Sequence, residues 1–132
     1  MAQTGSVNPW QWQDAFQFSQ AIDVRQASRV LYCAGQASVN GEGAPVHAGD
    51  MQAQLEQAIT NLETVLAQAG LALGHVVRLN YYVTDVDAFL GVMPAIAGRL
   101  RNAGCKPAST LLGVTRLAYP ELLVEIEATA VA

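Results

Sequence analysis

Positive charge is scarce in this sequence. Seven Lys and Arg are scattered along 132 residues against eleven Asp and Glu, for a net charge of -4. Phosphate backbones are held by clustered cations, so nucleic acid is not expected as a partner. Cysteine is nearly absent as well: Cys33 and Cys105 are the only two, with neither a CxxC motif nor metal-ligand spacing. Each is expected to be a small buried apolar residue in a reducing compartment. His47 and His75 have no ligand spacing with each other or with the cysteines, so no metal site and no cofactor are expected. Gly41-Glu42-Gly43 continues into neither GxGxxG nor Walker spacing, which excludes a phosphate loop. No apolar run approaches the roughly 18 residues of a membrane-spanning helix. The start, Met1 to Gly5, carries neither a basic region nor an apolar stretch, so no secretory signal and a cytoplasmic location are expected.

What the chain does have is apolar surface. Hydrophobic residues make up 52% and charged residues 14%, which is rich for one small domain that keeps much of its surface in water. The apolar residues follow secondary-structure periods rather than one run. That favours burial between subunits, and closed cyclic assembly is the expected way to cover apolar sheet surface.

The chain reads as a single domain, residues 1–132, with a leader over 1–15 and a core over 16–132. Trp10 and Trp12 in the leader are expected to dock against the body or a neighbouring subunit. Phe16 to Ile22 and Arg29 to Gly35 read as strands, joined by a polar turn at Arg25 to Ser28. Asn40-Gly41-Glu42-Gly43 is a turn. Met51, Leu55, Ala58, Ile59, Leu62, Val65, Leu66 and Ala69 recur at three- and four-residue steps, which predicts an amphipathic helix capped by Asp50 and stopped at Gly70. Val77, Leu79, Tyr81 and Val83 alternate with polar neighbours as in a strand. A second helix, capped by Asp85 or Asp87, is expected to point Phe89, Leu90, Met93, Ile96, Ala97 and Leu100 inward, with Pro94 interrupting or kinking it. Thr110 to Thr115 and Leu123 to Val131 complete the order β-β-helix-β-helix-β-β. The expected class is α+β, a mixed sheet with two long helices on one face.

The last quarter carries the strongest pattern: Gly104-Cys105-Lys106-Pro107-Ala108-Ser109-Thr110, then Leu117, then Val124-Glu125-Ile126-Glu127-Ala128-Thr129-Ala130. Phe18-Ser19-Gln20-Ala21-Ile22, Cys33-Ala34-Gly35-Gln36, Asn61-Leu62 with Leu66 and Ala69-Gly70, Val76-Val77-Arg78 and Val83-Thr84-Asp85 precede it in order. Together they resemble the Rid family, the reactive-intermediate deaminases also called YjgF-like or L-PSP-like, over nearly the whole chain. The resemblance implies a chorismate-mutase-like fold, a homotrimer, and small clefts between subunits. Active members of that family hydrolyse an imine or enamine such as 2-aminoacrylate to a carbonyl compound and ammonia.

Carried over by position, the family's carboxylate-binding arginine falls on Ser109. Its cleft tyrosine falls on Phe18, the serine before the glycine on Ala34, an asparagine near Met93, and a frequent cysteine on Leu111. Gly35 and the strand carboxylate Glu125 are retained. Every change runs from polar to apolar or neutral, and loss of a bidentate guanidinium–carboxylate pair removes a hundredfold or more in affinity, about 3 kcal/mol. Standard 2-aminoacrylate deamination is therefore not expected. Glu125 reads equally as a general acid/base or as a solvated strand carboxylate, whereas Glu127 reads as solvated. Lys106 is the one cation near enough in sequence to reach the cleft. Two functions stay open: a deaminase-type hydrolase for a less anionic substrate, using Glu125 with Ser109 and Gly35, or a non-catalytic trimer that binds a small molecule or serves as a scaffold.

Overall fold

The computed structural model describes residues 2–132; Met1 lies outside the described residues. In chain order the strands are β1 (Gln3–Val7), β2 (Ala21–Arg25), β3 (Val30–Tyr32), β4 (Gln36–Ala37), β5 (Val76–Val83), β6 (Leu111–Gly113) and β7 (Val124–Val131). The helices are α1 (Met51–Gln68) and α2 (Val86–Asn102), and short 3-10 turns occupy Trp12–Phe16 and Leu73–His75. β3, β7, β5 and β6 lie side by side, β4 also pairs with β7, and β5 with β6 is the parallel pair. β1 and β2 form a separate antiparallel ribbon. This is the expected mixed α+β sheet with two helices.

Both helices start and stop where local chemistry dictates. Asp50 Oδ1 accepts the Ala53 N–H at 3.0 Å, and Asp85 Oδ1 accepts that of Ala88 at the same distance, so each satisfies an orphan donor of the first turn. Gly70 takes φ +75 just past α1, a conformation a side chain would strain. Their apolar faces bury Leu55, Ile59, Leu62, Leu66, Ile96 and Leu100 against Leu79, Val83, Val124, Ile126 and Ala128 of the sheet. Each such large side chain contributes about 1.5–3 kcal/mol. Gln54, fully buried on α1, donates to the carbonyls of His47 and Glu121 and accepts the Leu123 N–H, at 3.1, 2.8 and 2.8 Å. That side chain ties α1 to the loop before β7.

Three expectations need correction. Phe16 to Ile22 is not a strand: Phe16 ends a 3-10 turn, Gln17 adopts φ 58, and β2 starts only at Ala21. The Gln17 side chain donates to the Cys105 carbonyl at 3.1 Å, a contact that no local pattern encodes. The leader, expected to dock rather than trail, pairs Gln3 to Val7 residue by residue with Arg25 to Ala21. Within it Trp12 is 60% exposed, and its ring meets that of Phe18 edge to face. Leu90 does not face the core; it is 42% exposed. Pro94 leaves α2 unbroken, because it sits on the exposed side, where the Leu90 carbonyl it frees can be hydrated.

The sheet face away from the helices is mixed, with exposed Leu112 and Val30 beside polar residues. It presents Arg78, Asn80, Tyr82, Glu125, Glu127 and Thr129 by strand alternation. The Tyr82 hydroxyl donates to Glu127 Oε1 at 2.8 Å. Tyr32, 81% exposed, flanks them on β3.

Candidate functional site

An open cavity of about 240 Å3 lies on the helix side of the sheet, between the Trp12–Phe18 segment, α2, Tyr81 within β5 and Leu111 at the start of β6. Phe18, Met93, Ser109 and Leu111, four of the residues singled out from the sequence, line it together. Trp12, Phe16, Tyr81, Phe89 and Leu90 complete the wall. The Trp12 and Phe18 rings meet edge to face at 5.7 Å, and Tyr81 packs against Phe89 at 5.1 Å. Such aromatic geometry is favourable beyond simple area burial.

A set of polar contacts holds the aromatic segment over the cavity. Ser19 Oγ donates to the Lys106 carbonyl at 2.7 Å, and the Ser19 N–H to the Pro107 carbonyl at 2.9 Å. Lys106 Nζ pairs with Asp14 Oδ1 at 2.6 Å, so the one cation near the cleft in sequence is engaged elsewhere. No lining residue is charged, and the polar side-chain groups of the wall are the Ser109 and Tyr81 hydroxyls and the Trp12 indole N–H. Ser109 Oγ makes only a long 3.4 Å contact with the Pro107 carbonyl, which leaves it available to a ligand.

The remaining candidates sit elsewhere. Glu125 lies on the opposite sheet face, cross-strand from Tyr82, whereas the cavity is bordered by the next residue along, Tyr81. Successive strand residues point to opposite faces, so within one chain Glu125 and Ser109 are separated by the sheet. Glu125 packs on Gly35: a Cβ there would stand 2.4 Å from its Oε1. Ala34 is exposed beside this pair. One chain therefore carries an apolar cavity on one face of the sheet and a carboxylate seated on a glycine on the other.

Other groups are chemically quiet. Burial pushes the Cys105 thiol up to about 12 and raises that of Cys33, so neither is a nucleophile at neutral pH. His75 Nδ1 accepts the Ala72 N–H at 3.0 Å, and the His47 carbonyl accepts from Gln54. Among the described residues no cluster of His, Cys, Asp and Glu could hold a metal ion, and no helix is long and apolar enough to cross a membrane. The sequence reading missed Trp12, Phe16, Tyr81, Phe89 and Leu90 as wall residues. Trp12 and Phe16 had one advance signal, the density of aromatics flanking Phe18.

Comparison with known proteins agrees with this architecture. The family model described as Endoribonuclease L-PSP matches residues 12–132. A crystal structure from Yersinia pestis, YyfB of the Rid protein family, described as of unknown function, is 37% identical, covers 98% of both chains and superposes with a TM-score of 0.89. The YjgF gene product of E. coli is 28% identical over 86% of this chain and 87% of its own, with a TM-score of 0.70. A RutC family protein of Pyrococcus horikoshii is 31% identical over 86% of this chain and 85% of its own length.

Proposed function

The chain belongs to the endoribonuclease L-PSP family, the Rid or YjgF-like proteins, and on that premise we propose that its cavity binds an uncharged, largely apolar small molecule. The observation that carries this reading is an open cavity of about 240 Å3 whose wall is aromatic and aliphatic, with Ser109 where the family resemblance expects a carboxylate-binding arginine. A carboxylate entering such a wall would lose its hydration and meet no cation. Standard 2-aminoacrylate deamination is thus disfavoured. The scarcity of basic residues argues in the same way against RNA, whatever the family is called.

A second reading is supported by the Glu125–Gly35 pair. In a homotrimer, the assembly implied by the family resemblance, a neighbouring copy's sheet face could bring its carboxylate to the mouth of the cavity. Glu125 would then serve as acid/base for hydrolysis of a carboxylate-free imine: water adds to the C=N carbon, and the C–N bond breaks to give a carbonyl and ammonia.

The test is ammonia release from imines generated in situ, carboxylate-bearing ones by an amino-acid oxidase and carboxylate-free ones by an amine oxidase. No acceleration of the carboxylate-bearing set is expected. Acceleration of that set by the wild type would overturn the proposal. Acceleration confined to the carboxylate-free set and lost in Glu125→Ala would select the hydrolase.

A further inference from the structure

Tyr81 stands apart from the other polar side chains of the interior. It lies in mid-β5, only 5% exposed, its ring against Phe89 and its backbone N–H on the Thr110 carbonyl at 2.9 Å. Its hydroxyl forms no hydrogen bond among the described residues, whereas Gln13, Gln54 and Ser38 are all satisfied. Every fully buried side-chain nitrogen or oxygen in the described chain has a partner. The Tyr81 hydroxyl is therefore not sealed off, and the space that Tyr81 borders is the apolar cavity. A phenol in so apolar a setting, with no partner in the protein, has its hydrogen-bonding capacity free for whatever enters that cavity.

Resting on the pocket reading above, we infer that Tyr81 is the polar anchor of the cavity: its O–H donates to an uncharged acceptor, a carbonyl oxygen or an imine nitrogen, on a ligand whose body is apolar. Ser109 supplies the second hydroxyl of the wall. Both are neutral, so they complement a carbonyl or imine dipole and offer nothing to a full negative charge. Burial raises the Tyr81 pKa above the ordinary phenol value, which keeps it a protonated donor through physiological pH. The volume and the aromatic lining suit a single ring with a short side chain.

Acetophenone and ethylbenzene share a shape and differ by the carbonyl oxygen, which makes them the probes. Their binding to wild type and to Tyr81→Phe is measured by ligand-observed NMR, with thermal unfolding of both proteins alongside. Acetophenone is expected to bind the wild type about fivefold more tightly than Tyr81→Phe, the worth of one neutral hydrogen bond. Ethylbenzene should bind the two proteins alike, and Tyr81→Phe should unfold at no lower temperature than the wild type. If acetophenone binds both proteins equally while ethylbenzene also binds, the anchor is refuted and the pocket reading stands. If neither compound binds the wild type, the pocket reading falls and takes the anchor with it. Loss of stability or failure to fold in Tyr81→Phe would mean the hydroxyl has a structural partner, which also overturns the inference.

Discussion

Replacing Ser109 by arginine should convert the cavity from one that rejects carboxylates to one that accepts them. Ser109 is half-buried in a wall with no charged member, and Lys106 is held by Asp14 at 2.6 Å. In the wild type, benzoate should therefore bind far more weakly than its neutral isostere acetophenone. A guanidinium at position 109 adds two charge-assisted hydrogen bonds to a carboxylate, together worth about 1.5–3 kcal/mol after its own desolvation, or roughly 10- to 100-fold in affinity. Stacking of the planar guanidinium on Phe16, Phe18 or Trp12 would lower the cost of burying it. The assay is a benzoate titration of both proteins at low and high salt, with acetophenone as control. The reasoning requires benzoate to gain and acetophenone to hold or lose. Wild type binding benzoate as well as acetophenone would refute it, because a cation would then have to reach the cavity. Lys106 would be the first suspect, and Lys106→Met the check.

Further outcomes follow from the packing. Gln54→Leu removes three hydrogen bonds and strands the His47 and Glu121 carbonyls and the Leu123 N–H; a loss of about 2–4 kcal/mol in urea unfolding is expected, and a loss under 1 kcal/mol would contradict it. Cys105 sits at about 12 against 9.0 in the open chain. Above pH 9 the unfolded chain sheds a thiol proton that the folded chain keeps, so stability is full below pH 9 and falls as pH rises toward 12. The decline should be about 1 kcal/mol per pH unit, and flatter in Cys105→Ala; a level profile from pH 9 to 11 under reducing conditions would contradict it. Gly35→Ala places a methyl 2.4 Å from Glu125 Oε1. The carboxylate is the flexible end of a side chain, so a cost of about 1 kcal/mol is expected, relieved in the Glu125→Ala background. An additive double mutant would mean the two residues do not touch.

Much of the fold was legible because its signals are local. The apolar steps from Met51 to Ala69, bounded by Asp50 and Gly70, specify α1, and the alternation through Val83 specifies β5. The Phe16 to Ile22 segment misled because its fate is decided by Cys105, 88 residues from Gln17. Extended residues there would satisfy a strand pattern equally well; the left-handed turn is held by the Gln17 N–H on the Asp14 carbonyl together with the distant Cys105, Lys106 and Pro107 carbonyls. Leu90 misled for a related reason: it lies at the edge of the apolar stripe, where the helical period cannot separate core from cavity lip.

The sequence alone determined α1, α2, β5 and β7, the helix caps, the family, and the uncharged character of Phe18, Met93, Ser109 and Leu111. Tertiary structure decided two things. It put Glu125 and Ser109 on opposite sides of one sheet, a matter of whether Tyr81 or its neighbour Tyr82 is cross-strand from the carboxylate. It also left a void behind Tyr81 and Phe89 instead of filled core. Periodicity records which face a side chain takes; whether the volume facing it is occupied depends on how closely α2 and the Trp12–Phe18 segment approach, and that is set by long-range contacts.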